Sequence, residues 1–482
     1  MDTTRRVATG AGWLYAYRWA ERLLDFLSIA VLARLLAPDD FGLVAIAASL
    51  VVIVEGLSAF DVDRAIIRSR DDDRALYDTG WTLSTLRGVL ASLAMLGVSV
   101  LVTDTRLASA LQVLAICPLV NGLRNPTFVV FERQLIYSKL AALTLVAKLL
   151  SVGAMLGVAL ATRNFWALVV GQLVYVASGA VLSYVWRPYR PRWSLARFAA
   201  LFGFSGWLSL TSVVTALSME TDKIIVGWLL GVRDAGLYFM VQRVGVLPTQ
   251  ELLSPLQRLL FPALSELAAD AARMRRAVAE SMNVVGTLGL AASVGFAVVA
   301  DEFVTIALGA TWTPIVPLLV VFVPYLGVRS TLSVALPCVL ALGRTQLLFW
   351  VSFVYALVHL PAFIAGTALF GLPGAIGSII AAGVLYTGLN AWMLRATVGL
   401  TTGDLVAQLR RPVIAAAVMA GALVGLTLVT PLGDVGRVGP GVSLPAKALV
   451  GAIVFCASQY AIWRLEGRPA GIERRIGALV GR

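Results

Sequence analysis

The chain is predicted to be all-α: a polytopic helical membrane protein with about fourteen transmembrane helices, forming two pseudo-symmetric six-helix lobes plus two C-terminal helices. Three observations predict this. Hydrophobic residues make up 59% of the 482 residues and charged residues only 14%, with a mean hydropathy of +0.86, far from the balance of a water-soluble domain. The apolar residues run in stretches of about 20, the length a hydrocarbon core demands, and not in the alternating ten-residue segments of a membrane barrel. Finally, the beginning of the chain returns near its middle at a constant offset of 194 residues. Gly12-Trp13-Leu14 reappears as Gly206-Trp207-Leu208, Leu35-Leu36 as Leu229-Leu230, and Asp40, Gly42 and Leu43 as Asp234, Gly236 and Leu237. A repeat of that length, lying in apolar stretches, is a duplicated membrane unit.

In chain order the predicted spans are 11–35, 41–60, 80–103, 107–131, 140–161 and 164–186, then 198–230, 235–260, 278–300, 314–341, 345–370 and 373–395, and last 412–432 and 446–463. The basic, proline-broken segment Arg187-Pro188-Tyr189-Arg190-Pro191-Arg192 separates the first six from the rest. The expected organisation is an N-terminal lobe over 1–190, a second lobe over 191–398, and two further spans with a cytoplasmic tail over 399–482. The first ten residues lead into a charge-interrupted helix without a small-residue cleavage site, so an uncleaved first span is expected.

Orientation follows from Arg and Lys placement. With the amino terminus inside, 24 basic residues fall in cytoplasmic segments, Arg64, Arg133, Arg187, Arg275 and Arg410 among them. Only six, Arg34, Arg106, Arg163, Arg233, Arg437 and Lys447, fall outside. Both termini are expected to be cytoplasmic. The net charge of +12 then sits where anionic lipids and the insertion rule favour it, and nucleic acid is not needed as a partner. Six spans separate the two copies of the repeat, an even number, so the copies share one orientation about an axis along the membrane normal.

Charges inside spans are the candidates for function, because each costs several kcal/mol (about 2.5–3.5) if it faces lipid. Arg18, Glu21, Arg22 and Asp25 fall within one quadrant of the first span. Two readings stand. The four could neutralise one another along the helix surface, or they could form the wall of a hydrated cavity. In the seventh span Thr211, Thr215, Ser218 and Asp222 also share a stripe, and the repeat matches Thr215 to Glu21, so two polar faces correspond. Arg124, between Asn121 and Asn125, and Lys148 are read as deep; Arg243 follows Gln242 in a repeat of the second span. Arg87, Arg258 and Arg329 lie near enough to span ends to snorkel.

Other features have plainer readings. Cys117, Cys338 and Cys456 lie far apart in apolar runs, as buried reduced thiols do, with neither a CxxC pair nor a metal-ligand cluster. His359, before Pro361, is read as a helix-packing residue, with proton handling as the alternative. Pro118, Pro126, Pro248, Pro255, Pro324, Pro337 and Pro361 would bend or loosen helices. Gly371, Gly374 and Gly377 follow no strand and suit close helix contact, not a dinucleotide. Asp71-Asp72-Asp73, between Arg70 and Arg74, reads as a solvated turn and lacks calcium-loop spacing. No phosphate-binding GxxxxGK[ST] loop occurs. No cofactor and no metal are expected.

Ala33-Arg34-Leu35-Leu36-Ala37-Pro38-Asp39-Asp40-Phe41-Gly42 resembles the turn after the first span of Wzx-type polysaccharide flippases. The second copy, Asp222-Lys223-Ile224-Ile225-Val226-Gly227 followed by Leu230-Gly231 and Gly236-Leu237-Tyr238, is similar to the matching segment. Phe261-Pro262-Ala263-Leu264-Ser265 and Asn125-Pro126 through Phe131-Glu132-Arg133 also resemble elements of that family. The likeness covers about residues 8–280 by motif and the remainder by hydropathy. It implies a two-lobed, V-shaped transporter, not an enzyme, that moves an undecaprenyl-diphosphate-linked oligosaccharide across the bacterial cytoplasmic membrane. A polysaccharide polymerase and other assembly proteins would be its partners.

On that reading Arg18, Arg22, Arg124, Lys148 and Arg243 are the expected holders of a diphosphate or acidic sugars, since guanidinium groups grip phosphate bidentately. Glu21, Asp25 and Asp222 would balance charge or couple to a cation gradient. A cation-coupled exporter of small amphipathic drugs and a flippase for lipid-linked peptidoglycan precursors are the alternatives on the same fold. An integral membrane glycosyltransferase or polymerase would need a carboxylate pair in a sizeable loop, and the longest loops, 60–78 and 261–277, are too short for one.

Overall fold

The structure, a computed structural model, describes residues 3–57, 66, 73–134, 136–198, 206–429 and 439–467, without the side chains of 3–18, 57, 132, 133, 137, 206–212, 251, 258 and 440. Among the described residues the secondary structure is helical, without strands. Two compact units arise, Met1–Gly236 and Leu237–Arg482.

In the first unit α1 covers Thr3–Leu35 and α2 Pro38–Leu57. Then come α3 Arg74–Leu101, α4 Thr105–Leu114, α5 Ile116–Gly122 and α6 Val129–Arg133. The helices α7 Tyr137–Thr162, α8 Trp166–Trp186 and α9 Gly206–Leu230 complete it, with the start of α10 Val232–Gly245. Helix α1 packs on α7, α7 on α8, and α9 on α2. A core of Leu43, Ala47, Met95, Leu111, Cys117 and Val169 joins α2, α3, α4, α5 and α8.

The second unit contains α11 Leu247–Glu266, α12 Ala271–Val298, α13 Ala300–Ala307, α14 Val316–Thr331 and α15 Ala335–Ala341. It ends with α16 Thr345–Val398, α17 Thr402–Val429 and α18 Pro440–Leu465. Its main core runs through α11, α12, α15, α16 and the start of α17, from Leu253 and Met282 to Met393 and Leu405. The two C-terminal helices seat on α12 through Leu290, Ala415, Met419, Leu423 and Phe455.

Eight described helices are long and apolar enough to cross a membrane. Their outer faces are as apolar as their inner ones: Leu101 is 82% exposed, Leu160 67%, Val185 64% and Leu428 81%. Water would not tolerate that surface; hydrocarbon does. The chain is a multi-pass membrane protein.

Helix occupies each predicted span, but several are broken, for identifiable reasons. The stretch 107–131 divides into α4, α5, a 3-10 turn at Pro126–Phe128 and α6. Prolines remove backbone donors there, and Asn125 caps the turn by accepting from Thr127 N at 2.9 Å. The break lets α5 approach α3 backbone to backbone. A Cβ on Gly88 would lie 2.5 Å from Pro118 O, and one on Gly122 would lie 2.4 Å from Ser84 O. The two predicted spans at 345–370 and 373–395 are two helices, as expected; the label α16 covers both, and they meet at Gly371, where φ is 64° and ψ −145°. Gly374 then passes close to Gly366, whose carbonyl oxygen would stand 2.0 Å from an added Cβ. This is the close contact expected of small residues.

Three expectations need correction. Lys447, assigned to an external loop, lies on α18, buried, in an ion pair with Glu302 of α13. Cys456 is exposed, because α18 packs through one face only and leaves Leu449, Ile453 and Tyr460 on the other. Cys117 and Cys338 are buried as expected, and all three thiols are free. Arg124 is not deep: it is exposed at the turn after α5, its guanidinium 5.9 Å from the Phe128 ring centroid. His359 packs as expected, stacked on Tyr355 at 5.0 Å.

The Glu302–Lys447 pair anchors the C-terminal helices at one end, and Glu466 with Arg410 (3.0 Å) and Arg411 (3.3 Å) ties α17 to α18 at the other. Removing one partner of so buried a pair costs about 3–5 kcal/mol, whereas replacing both by apolar residues is nearly neutral. Lys447→Ala should therefore lower the unfolding temperature of the purified protein sharply, and Lys447→Met combined with Glu302→Leu should restore it.

Candidate functional site

The repeat seen in the sequence has a structural counterpart. Gly42, in the first turns of α2, and Gly236, in the first turns of α10, occupy equivalent positions in the two copies and touch each other. A Cβ on Gly42 would stand 1.8 Å from Val232 O and 2.7 Å from Gly236 N. A Cβ on Gly236 would stand 1.9 Å from Pro38 O and 3.0 Å from Gly42 N. Pro38 and Val232 are themselves separated by the repeat offset, so each contact has its mate, as across an isologous two-fold interface. Asp39 and Arg233, also equivalent, face each other at 3.9 Å. Only glycine allows backbones this near.

From this crossing α9 runs along α2. Gly227 lies against Ile46, and a Cβ on Gly56 would stand 3.5 Å from Ala216 Cβ. Between the two helices sits a polar group. Lys223 Nζ donates to Glu220 Oε2 at 2.6 Å, and Ser49 of α2 donates its hydroxyl to the same oxygen at 2.7 Å. Asp222 and Ser218, on the same helix, are buried. Ser218 returns its hydroxyl to Val214 O at 2.8 Å.

A second ion pair joins α1 to α7. Asp25 bonds Lys148, whose ammonium also lies 5.7 Å from the Tyr175 ring centroid. Glu55, near the end of α2, accepts from Asn121 Nδ2 at 3.1 Å. The first unit thus carries acid–base pairs inside helices that are otherwise apolar. In a low-dielectric setting such pairs persist because each charge meets its opposite. An anion entering beside Lys148 or Lys223 would share that cation with the carboxylate already there.

Residues 31–317, more than half of the chain, match the family described as polysaccharide biosynthesis protein. The chain belongs to that family. The lipopolysaccharide biosynthesis protein WzxC of Escherichia coli is 23% identical over 406 residues, which cover 82% of each chain. The succinoglycan biosynthesis transport protein ExoT of Rhizobium meliloti is 24% identical over 380 residues, 77% of this chain and 76% of its own. Among solved structures, lipid II flippase MurJ in an inward closed conformation superposes with a TM-score of 0.71 at 12% identity, over 93% of this chain and 98% of that one. An inward-facing multidrug resistance MATE family transporter superposes at 0.57 with 13% identity, over 78% of this chain and 94% of that one. At such identities the structural likeness speaks for the fold alone. The expected resemblance to Wzx-type proteins, drawn from residues 8–280, agrees with the family match.

Within this member of the polysaccharide biosynthesis family, the residues expected to act are only partly gathered. Asp25 and Lys148 are brought together directly. Glu21 and Arg22 lie half-buried on α1 one turn away from Asp25. Arg18 lies on the same helix, its side chain outside the described residues, as is that of Thr211 on α9. Thr215 is exposed and Asp222 buried on α9. Arg243 is half-buried on α10 in the second unit, and Arg124 stands at the end of the first.

Sequence reasoning gave Glu220 and Lys223 no role. Their spacing of three residues on one helix was the available signal. Ser49 was missed altogether; it occupies the position that the repeat matches to Arg243. Of the acidic run, Asp73 caps α3, accepting from Ala75 N at 3.0 Å and pairing with Arg197 at 2.9 Å. Those bonds hold its carboxyl below the usual carboxylate range. Asp71 and Asp72 lie outside the described residues.

Proposed function

We propose that the chain is a flippase that carries a lipid-linked oligosaccharide, on an undecaprenyl-diphosphate carrier, across the bacterial cytoplasmic membrane for polysaccharide synthesis. The observation that carries this reading is a duplicated membrane unit, in a polysaccharide biosynthesis family, whose copies α1 and α9 bear charges inside apolar spans. A substrate with an anionic headgroup and a long polyprenyl tail needs a polar route for the first and lipid for the second. The names of WzxC and ExoT, attached to lipopolysaccharide and succinoglycan synthesis, support it.

Transport proceeds by alternating access of lobe 1–190 and lobe 191–398, with 399–482 as an accessory pair and both termini cytoplasmic. By the arginine count the Gly42–Gly236 crossing faces outward, so it is the contact that separates when the route opens to that side. Arg18, Arg22, Arg124, Lys148 and Arg243 hold the diphosphate or acidic sugars, and Glu21, Asp25 and Asp222 balance them or bind the coupling cation. A polysaccharide polymerase takes over the delivered oligosaccharide.

Arg22→Ala should abolish polymer export while the protein remains in the membrane at wild-type abundance. The measurement is surface polysaccharide against immunoblot in a strain carrying the variant as its single copy. Export at the wild-type level would remove Arg22 from the role.

A further inference from the structure

A cleft of about 730 Å³ opens at the end of the first unit, where α3 begins and α8 ends. Its walls include Arg74, Arg187 and Arg190 together with Tyr77, Tyr184 and Tyr189. Three of these six belong to the basic segment after α8, which sequence reasoning used as a boundary between lobes and as a mark of orientation. A basic segment that merely obeys the insertion rule needs no fixed shape. This one is built in.

The anchoring is extensive. Asn125 Nδ2 donates to Arg187 O at 2.7 Å and to Ser183 O at 3.1 Å. Tyr184 donates its hydroxyl to Leu123 O at 2.7 Å and accepts from Trp81 Nε1 at 3.0 Å. Tyr189 donates to Asp78, a carboxylate only 5% exposed. Further along, Ser194 N donates to Thr82 Oγ1 at 3.0 Å and Arg197 N to Thr79 Oγ1 at 3.2 Å. Trp193 meets Trp81 edge to face at 5.1 Å. Burial and the neighbouring Asp78 push the Tyr189 phenol up from its ordinary value, so this strut stays protonated at any physiological pH.

The charge left over is positive. Among the described lining residues there are three guanidinium groups and no carboxylate. Asp78 lies behind Tyr189, occupied by that phenol and by Arg74 at 3.6 Å. Arg74 also donates to Arg190 O at 3.3 Å, which orients its fork. Arg187 is steered from the other side by the Phe131 ring, 5.6 Å away. Oriented guanidinium forks match phosphate oxygens bidentately. Tyrosines add amphipathic walls with a flat face and a polar tip, and the volume suits a headgroup-sized ligand.

We propose that this cleft, at the end the arginine count assigns to the cytoplasm, binds a phosphate or diphosphate group, with Arg187 and Arg190 as the principal contacts. The same chemistry is offered by an anionic phospholipid headgroup reaching up from the adjacent bilayer and by a soluble diphosphate. The site is separate from the charges of α1 and α9, and its test reads binding, so it stands whether or not the transport reading does.

The test uses the full-length protein purified in an uncharged maltoside detergent, titrated with inorganic pyrophosphate and, separately, with phosphatidylglycerol in mixed micelles against phosphatidylcholine. The expected result is saturable binding that weakens about tenfold or more in Arg187→Gln and Arg190→Gln. Arg192→Gln, an exposed arginine of the same segment that does not line the cleft, should bind as wild type. Circular dichroism and elution volume should be unchanged in all three. Binding of pyrophosphate supports a soluble phosphate source, and binding of phosphatidylglycerol alone supports the lipid. Absence of saturable binding to either by the wild-type protein, or equal weakening by Arg187→Gln and Arg192→Gln, would overturn the proposal; the latter is the mark of diffuse attraction.

Discussion

Alanine at Gly42 is expected to reduce polymer export by at least about tenfold, and alanine at Gly236 to do the same. Each new methyl would point at a backbone carbonyl under 2 Å away, Val232 O in one case and Pro38 O in the other. A carbonyl in a helix turn cannot rotate aside as a side chain would, so α2 and α10 must move apart. Overpacking costs about 1–3 kcal/mol even where side chains can yield. Applied to one of two exchanging states, about 2–3 kcal/mol shifts their ratio by roughly 30- to 150-fold. The two variants should therefore match each other, because their contacts are equivalent across the repeat. Gly97→Ala is the control: it lies on α3 with nothing within 4 Å of an added Cβ, and alanine there favours the helix by about 1 kcal/mol. Export and unfolding temperature, measured on all three, decide the matter. Wild-type export from Gly42→Ala would show that the crossing need not close.

The second large effect is expected at the Asp25–Lys148 pair. Lys148→Gln or Asp25→Asn alone leaves one charge inside a span without this partner. For a well-buried pair such a loss costs about 3–5 kcal/mol. Here the side chains are 24% and 20% exposed, so the lower part of that range applies. Both single variants should be less abundant in the membrane and export little. Combining Asp25→Asn with Lys148→Gln removes both charges and should restore abundance, because paired neutralisation is nearly neutral. Export should stay low in the double variant, since the cation proposed to hold the anionic headgroup is gone. Full recovery of export would make the pair a structural tie and no more. Immunoblot and surface polysaccharide separate the outcomes.

The membrane class, the stretches that become helices, the duplication and the charges that interrupt apolar runs were all legible in the chain. Each depends on local composition or on fixed spacing, and a hydrocarbon solvent enforces both. The repeat even singled out Gly42 and Gly236 as equivalent. That they touch was not legible, since the offset states correspondence and carries no distance.

Asp25 and Lys148 likewise appeared as two separate charges, with helix neighbours of Asp25 as its nearest apparent partners. Their pairing depends on how α7 lies against α1, which no periodicity specifies. Arg124 looked deep because it falls inside the predicted span 107–131, yet the prolines around it end the helix there and leave it exposed. Lys447 looked like a loop residue, although Glu302, 145 residues away, holds it in a buried pair. Sequence alone thus determined what each segment is made of and whether it can enter lipid. Which charge neutralises which, and where two backbones come near enough to exclude a methyl, was decided only by tertiary packing, because those energies depend on distances between segments remote along the chain.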